Sequence, residues 1–440
     1  MYEENILFIY LTAYSPRMNI IASSRAEKIS KYLSHKMQTY IVAGLPKEFL
    51  HNEENLKKNV DIGNANLIEI PSIFDRANSK NGKSEAKNME IIKKIKIELL
   101  PVVEYFLPVS PGGMIYHNQR LYLEKIQDII NSNKTKKVVL FASFGPSFIL
   151  RIAYKIKKNN KNVILINDFR DWAYKYYEGR FYNGYLFKKF TKKMIENSDV
   201  STFVSNKLLI YYNEKLKLKN KKLYFLPNGF DHEFNNKKNK YDNNKKDIFN
   251  IVYTGSFHHK CRNPYNFLRA LKILIEEHPE LENKINFIYL GKDGDYLYKY
   301  INELELNDIF VNKGLVDKEE SIKMQNEADL LLLITYTGKD KIVGESIITG
   351  KFYEYINSNS KILTLGAEGW EMKDVLEADN VSKIISNDDI QGIKNYLYEI
   401  ITNPDITMNL NKREKMIADF SYKNISEKLY TIIKEVVKEE

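Results

Sequence analysis

Cysteine is almost absent: Cys261 stands alone among 440 residues. A single thiol forms no internal disulfide, so a disulfide-stapled secreted scaffold is excluded and a reducing compartment fits. Long apolar runs are missing as well, and no stretch reaches the roughly 18 apolar residues of a membrane-spanning helix. The run Ile6–Leu11 is short, follows the acidic pair Glu3-Glu4 and soon meets Ser15-Pro16. It reads as a buried first strand and not as a signal peptide. Three motifs are also lacking: the phosphate loop G-x-x-x-x-G-K-[ST], the G-x-S-x-G elbow, and a G-x-G-x-x-G after the first strand. Their absence removes the best evidence for kinase, hydrolase and dinucleotide-binding functions.

What is present is material for more than one core. Hydrophobic residues make up 43% and charged residues 28% of the chain, a globular composition. A length of 440 residues suits two domains of roughly 200 residues each. Lys and Arg outnumber Asp and Glu by 67 to 57, a net charge of +10. This excess has three readings: a solvated Lys-rich surface, attraction to an anionic membrane, or nucleic acid. It reads as spread along the chain, without a nucleic-acid motif, so no nucleic-acid partner is expected.

Short β-rich runs alternate with amphipathic stretches. The strands expected first are Ile6–Tyr10, Tyr40–Ala43, Val138–Ala142, Val163–Asn167, Val200–Ser205 and Leu223–Leu226. The pattern restarts with Asn250–Thr254, Asn286–Leu290, Leu330–Ile334 and Lys361–Leu365. Helices are expected between them, among them Arg25–Leu33, Phe148–Lys157, Asn266–Glu276 and Lys351–Ile356. This alternation is the mark of an α/β fold with parallel sheets covered on both faces. The polar tract NNKKNKYDNNKKD at 235–247 has no apolar period and reads as a linker. It separates a first domain, 1–234, from a second, 248–418, leaving a terminal helix at 419–440 to cross back onto the first. A ligand of such halves is expected at the carboxyl ends of the strands.

Four segments carry candidate chemistry. In Thr349-Gly350-Lys351-Phe352-Tyr353-Glu354-Tyr355, Gly350 opens a helix where free N–H groups and the missing Cβ admit a diphosphate. Glu354, one turn on and near Lys351, is placed to accept bonds from both hydroxyls of a ribose; an ordinary solvated glutamate fits equally. In Tyr253-Thr254-Gly255-Ser256-Phe257, Gly255 permits a sharp exit from a strand, and Lys260 and Arg262 beyond it can neutralise a leaving diphosphate. The neighbouring His258-His259 does not have the spacing of a metal site. In Asn167-Asp168-Phe169-Arg170-Asp171-Trp172, charges follow a strand of the first half; Asp168 and Asp171 could bind sugar hydroxyls, orient Arg170, act as a base, or form a structural Arg–carboxylate network. Asp293-Gly294-Asp295 is explained by capping and turn chemistry, and no metal is expected there. Weaker signals are Ser24 and Glu27 as a capping box with Arg25 at the helix start, and Ser143 in the turn Ser143-Phe144-Gly145-Pro146-Ser147.

In this order these segments, with Leu226-Pro227-Asn228-Gly229-Phe230-Asp231, Gly291 and Gly314, resemble glycosyltransferase family 4, in its bacterial surface-polysaccharide branch. The resemblance spans nearly the whole chain. It implies the GT-B fold, two Rossmann-like domains facing each other across a cleft, with the donor held mainly by the second. It implies retaining, metal-independent transfer from a UDP- or GDP-linked sugar, with no cofactor, to a glycan or lipid-linked acceptor. The place of work would be cytoplasmic, at the inner face of an anionic membrane. Glu354 looks like the family's ribose-binding glutamate and Arg262 like one of its two diphosphate-gripping cations. The other cation falls on Ser256, a departure that Lys260 or Lys351 would offset. The acidic residue near the donor sugar falls on Glu345 or the neighbouring Ser346. With Gly350, Lys351, Gly255, Ser256 and Glu345 on the donor, Arg170, Arg25 and Ser143 belong to the acceptor side, and Arg262, Lys260, Asp168 and Asp171 to the chemistry. A sugar-nucleotide epimerase and a non-catalytic partner subunit of the same fold are the alternatives.

Overall fold

The computed structural model describes residues 3–18, 21–46, 56–57, 59–75, 106–107, 115–172, 181–219, 221–231, 248–257, 261–403 and 406–439. The expected linker at 235–247 and the residues His258, His259 and Lys260 lie outside them. The chain divides into two compact units. One comprises Met1–Asn228 with Tyr422–Glu440, and the other is Gly229–Ser421.

The first unit is built on an eight-stranded sheet: β1 (Glu3–Thr12), β2 (Met37–Leu45), β3 (Asn66–Asp75), β4 (Ile115–His117), β5 (Lys137–Ser143), β6 (Val163–Phe169), β7 (Val200–Phe203) and β8 (Lys222–Phe225). Their order is β4-β3-β2-β1-β5-β6-β7-β8, parallel throughout except for the antiparallel β4. Leu7 to Leu11 are fully buried, because a central parallel strand is covered on both faces and needs an unbroken apolar run. The helices α1 (Ile21–Leu33), α2 (Gln119–Ser132), α3 (Phe148–Asn159), α4 (Phe181–Glu196) and α5 (Asn206–Leu216) alternate with the strands.

Several local expectations change here. The helix α1 begins at Ile21, so Ser24 and Glu27 are inside it and form no capping box; Glu27 instead pairs with Lys57 at 2.6 Å. Ser205, expected at a strand end, caps α5 by accepting the Leu208 amide at 3.1 Å. The strands β3 and β4 were not anticipated. Both are at one side of the sheet, and β3 carries Glu69 and Pro71, which break a simple apolar pattern.

The second unit has a six-stranded, wholly parallel sheet: β9 (Phe249–Thr254), β10 (Ile285–Leu290), β11 (Phe310–Gly314), β12 (Leu330–Ile334), β13 (Lys361–Gly366) and β14 (Lys383–Ser386), in the order β11-β10-β9-β12-β13-β14. The edge strands β11 and β14 are short, and the sequence pattern passed over them. Around the sheet run α6 (Tyr265–Glu277), α7 (Gly294–Glu303), α8 (Lys318–Glu327), α9 (Lys341–Ser346), α10 (Gly350–Ile356), α11 (Lys373–Leu376), α12 (Ile390–Thr402) and α13 (Leu410–Ile417). In α6 the buried positions Phe267, Leu268, Leu271, Leu274 and Ile275 recur at helical spacing and face the sheet.

The last helix, α14 (Tyr422–Glu439), belongs to the first unit. Its Ile425, Leu429, Ile432 and Ile433 join the core formed by Ala26, Ile29 and Leu33 of α1 and the first sheet. The division also sorts the charge, which is not evenly spread. The first unit holds 42 Lys and Arg against 25 Asp and Glu, and the second 25 against 32.

Candidate functional site

The strands β9 and β12 are parallel neighbours whose carboxyl ends, Thr254 and Ile334, open on the same edge of the second sheet. After Thr254 the chain turns sharply at Gly255, whose φ is +112°, a conformation that side chains with a Cβ rarely adopt. Three bonds hold the turn. Gly255 N–H donates to the Leu290 carbonyl at 2.7 Å, Tyr289 Oη donates to the Gly255 carbonyl at 3.0 Å, and Phe257 N–H donates to Asp293 Oδ2 at 2.7 Å. Asp293, expected to cap its own helix, makes no such cap; its carboxylate instead fixes this loop. Ser256 is half-buried within the turn, its carbonyl accepting from Tyr253 Oη at 3.3 Å.

Where the loop returns, Thr337 N–H donates to the Cys261 carbonyl at 2.8 Å, and Arg262 Nε donates to the Thr335 carbonyl at 3.3 Å. Thr335 directly follows β12, so Arg262 is tied to the same edge as the Gly255 turn. Among the described residues the outer nitrogens of its guanidinium have no protein partner, leaving a fork of donors for an anion.

The helix α10 runs beside this turn. Gly350 is its first residue, following Thr349 in extended conformation. A Cβ on Gly255 would come within 3.0 Å of Lys351 Cε. Lys351 Nζ donates to Glu354 Oε2 at 2.9 Å, and Lys318 Nζ, from the start of α8, donates to Oε1 at 2.7 Å. Burial pushes the Glu354 carboxyl up, but the two ammonium groups outweigh it and bring its pKa to about 2. Glu354 is therefore ionised at neutral pH, a hydrogen-bond acceptor only. Behind it, Tyr355 Oη accepts the Thr254 N–H at 2.9 Å. That phenol is fully buried and burial keeps it neutral, pushing its pKa well up. Tyr355 thus locks α10 against the end of β9.

The expected acceptor-side residues divide into two groups. Asp168, at 0% exposure, lies inside the first unit with Arg25 at 2%. Its Oδ1 accepts from Arg25 Nη2 at 2.9 Å and Thr202 Oγ1 at 2.8 Å; its Oδ2 accepts from Arg25 Nε at 3.0 Å and Ser143 Oγ at 3.0 Å. Arg25 also donates to the carbonyls of Leu226 and Pro227. Burial lowers the Arg25 guanidinium, and Asp168 more than reverses this, so it stays charged. With four donors on its two oxygens, Asp168 has no acceptor position left for a sugar hydroxyl. Asp168, expected at the chemistry, and Arg25 and Ser143, expected on the acceptor side, form a buried scaffold joining α1, β5 and β6. The Arg–carboxylate network foreseen there exists, with Arg25 as its arginine. Arg170 and Asp171 lie past the end of β6 nearer the surface. Arg170 Nε donates to the Phe144 carbonyl at 3.2 Å, and Asp171 Oδ1 accepts the Trp172 amide at 2.8 Å.

No protein-family model matches the sequence, and no curated protein matches it by sequence. Solved structures match it in fold. HepE of Anabaena in complex with UDP is 12% identical, with 98% of this chain and 100% of that chain covered, at a TM-score of 0.62. A glycosyltransferase from Rickettsia africae is 12% identical over 100% of both chains at 0.64. WaaG, a glycosyltransferase involved in lipopolysaccharide biosynthesis, is 12% identical over 97% of this chain and 99% of that chain at 0.56. This chain has the GT-B fold.

Within the second GT-B unit, Glu345 and Ser346 end α9 differently. Ser346 is buried and donates its hydroxyl to the Val343 carbonyl at 3.2 Å. Glu345 keeps 15% of its side chain exposed, beside Lys341, and its Oε1 stands 2.5 Å from where a Cβ of Gly369 would be. Of the two, only Glu345 presents a carboxylate toward the loop after β13. Sequence reasoning missed Lys318 and Gln325, both of which reach Glu354. Gln325 gave no sequence signal, being one polar residue among many in Lys318–Glu327. Lys318 had none, because its contact with Glu354 spans 36 residues. A hollow of about 1030 Å³ in the first unit is lined by Tyr116, His117, Arg120 and neighbours, and contains none of these residues.

Proposed function

We propose that this GT-B chain is a glycosyltransferase. It would move a sugar from a UDP- or GDP-linked donor to a glycan or lipid-linked glycan acceptor in surface polysaccharide synthesis, with retention of configuration and without a metal ion or cofactor. The observation that carries the proposal is the ionised Glu354, held by Lys351 against the Gly255 turn at the carboxyl edge of the second sheet. A ribose whose two hydroxyls donate to Glu354 would set the attached diphosphate beside Gly255, Ser256, Lys351 and the start of α10 at Gly350. The outer nitrogens of Arg262 would bind phosphate oxygens; Lys260, outside the described residues, would add a second cation. When the bond from the sugar's anomeric carbon to the phosphate oxygen breaks, negative charge grows on the diphosphate. Donors already fixed there lower the barrier, each typically by about 3 kcal/mol. The acceptor hydroxyl would form the new bond to the anomeric carbon on the same face, its proton passing to the departing phosphate oxygen. Glu345 would bind hydroxyls of the donor sugar, and Arg170 and Asp171 the acceptor.

The bound nucleotides of HepE, named in its complexes with UDP and with UDP-glucose, support a nucleotide-sugar donor. The lipopolysaccharide role named for WaaG supports the polysaccharide reading. The basic excess of the first unit supports peripheral contact with an anionic membrane from the cytoplasmic side, and among the described residues no helix is long and apolar enough to cross a membrane. Titration of the protein with UDP- and GDP-sugars tests the reading. One of them should bind, and Glu354→Ala should abolish that binding while the protein stays folded. Unchanged turnover at limiting donor in that variant would remove Glu354 from the site. Conversion of donor to an epimer with no acceptor present would replace transfer by epimerisation.

A further inference from the structure

Helix α8 is largely polar, with Ile322 and Met324 half-buried, and the one residue it buries is Gln325, at 2% exposure. Burying an amide is unfavourable unless its hydrogen bonds are made, and a leucine or methionine would fill the same space more cheaply. The amide is engaged. Gln325 Nε2 lies 3.2 Å from Thr254 Oγ1, 3.2 Å from Ser321 Oγ and 3.4 Å from Glu354 Oε2. Its main chain is anchored too, as its carbonyl accepts from Ser360 Oγ at 2.7 Å. Thr254 Oγ1 is itself 3.1 Å from Tyr355 Oη. One side chain therefore joins the last residue of β9, where the Gly255 turn begins, to the carboxylate one turn into α10. Turning the amide over would aim its oxygen at an ionised carboxylate, so the charge on Glu354 fixes which way it points.

The two lysines on Glu354 are its closer partners, at 2.7 and 2.9 Å, but their long stems fix its direction less. Lys318 is 59% exposed and Lys351 26%, and flexible ammonium groups constrain direction weakly. Gln325 is short, buried and neutral. It donates from the protein side without adding a charge that would have to be reorganised when a polyanionic ligand arrives.

We infer that Gln325 is a positioning residue for the nucleotide site: it orients Glu354 so that the acceptor position left open beside Lys318, Lys351 and Gln325 faces the ribose hydroxyls, and it holds that carboxylate in register with the phosphate-facing turn at Gly255. The inference rests on the nucleotide reading of Glu354 and goes beyond it by naming what aims the carboxylate.

The test is a double-mutant cycle in nucleotide affinity on the full chain, with UDP and GDP as probes, titrated calorimetrically. Gln325→Leu keeps the volume and removes the donor; affinity should fall about tenfold. In the Glu354→Gln background the same change should alter affinity less than twofold, because Gln325 acts through the carboxylate. A merely structural role would lower the melting temperature of Gln325→Leu in both backgrounds alike, without this non-additivity. Gln325→Glu supplies a second readout should the leucine variant fold poorly. Protonated, the new carboxylic acid can still donate to Glu354; ionised, it repels it, so affinity relative to wild type should fall as pH rises from 5 to 8. Wild-type affinity in Gln325→Leu, fully additive losses in the cycle, or a Gln325→Glu profile parallel to wild type would each overturn the inference while leaving Glu354 as a nucleotide ligand. Failure of the wild-type chain to bind either nucleotide would overturn both.

Discussion

Lys351 stands on the side of Gly255 where a Cβ would project. The Cε of Lys351 lies 3.0 Å from the position a Cβ on Gly255 would take, and the glycine's φ is +112°. The turn leaving β9 is thus shaped around the lysine that holds Glu354, and two segments separated by almost a hundred residues become one surface.

Gly255→Ala should carry two penalties from that placement. The backbone strain of a Cβ at this φ is about 1–2 kcal/mol, and the new methyl displaces Lys351. The melting temperature should drop modestly and nucleotide affinity should drop with it. A variant that melts early but binds UDP or GDP as wild type does would show that the turn does not face the ligand.

The depressed pKa of Glu354 makes part of the stability pH-dependent. Its folded-state pKa of about 2 lies below the ordinary value of 4.5. The ionised carboxylate is favoured in the folded state, so the contribution is complete above about pH 4.5 and fades as pH falls towards 2. With Lys318 largely exposed and the pair screened, its size is on the order of 1–2 kcal/mol. Denaturation of wild type and Glu354→Gln should therefore differ most at neutral pH and converge as pH falls from 4.5 to about 2. A constant gap across that window would contradict the assignment.

Asp168→Asn should unfold, not merely inactivate. It leaves the buried Arg25 charged and without its counter-ion, a change that costs about 3–5 kcal/mol. Chemical denaturation measures the loss, and any residual turnover should scale with the folded fraction. A variant of wild-type stability with no turnover would return Asp168 to a chemical role.

Leu429→Ala tests the terminal helix. Leu429 is fully buried in the first unit's core, and truncation of such a leucine costs about 2–5 kcal/mol. Hydrogen exchange should speed up in α1 and the first sheet and stay unchanged in β9 to β14. Uniform loss of protection across both units would show that they do not unfold as separate bodies.

Much of the α/β order was readable because central parallel strands must be apolar on both faces. Each of the ten anticipated strands overlaps a real one, from Ile6–Tyr10 in β1 to Lys361–Leu365 in β13. The missed strands β3, β4, β11 and β14 lie toward the sheet margins, where a short or polar stretch such as Phe310–Gly314 can still pair. The candidate site was legible wherever chemistry stays local in sequence: Gly255 as a turn residue and Lys351 three residues before Glu354 on one helical turn. The pairing of Asp168 with Arg25 was not legible, because a charged residue after a strand looks the same from sequence whether it faces solvent or a buried arginine 143 residues away.

Periodicity, glycine placement and the one-turn spacing of Lys351 and Glu354 are properties of neighbouring residues, and neighbour geometry is set by the backbone alone. Those the amino-acid order determined. Which donors surround Glu354, which acid is sealed beneath β5 and β6, and to which unit the last helix returns were decided by tertiary packing. Each depends on a side chain far away in sequence being brought within about 3 Å, a condition no local pattern encodes.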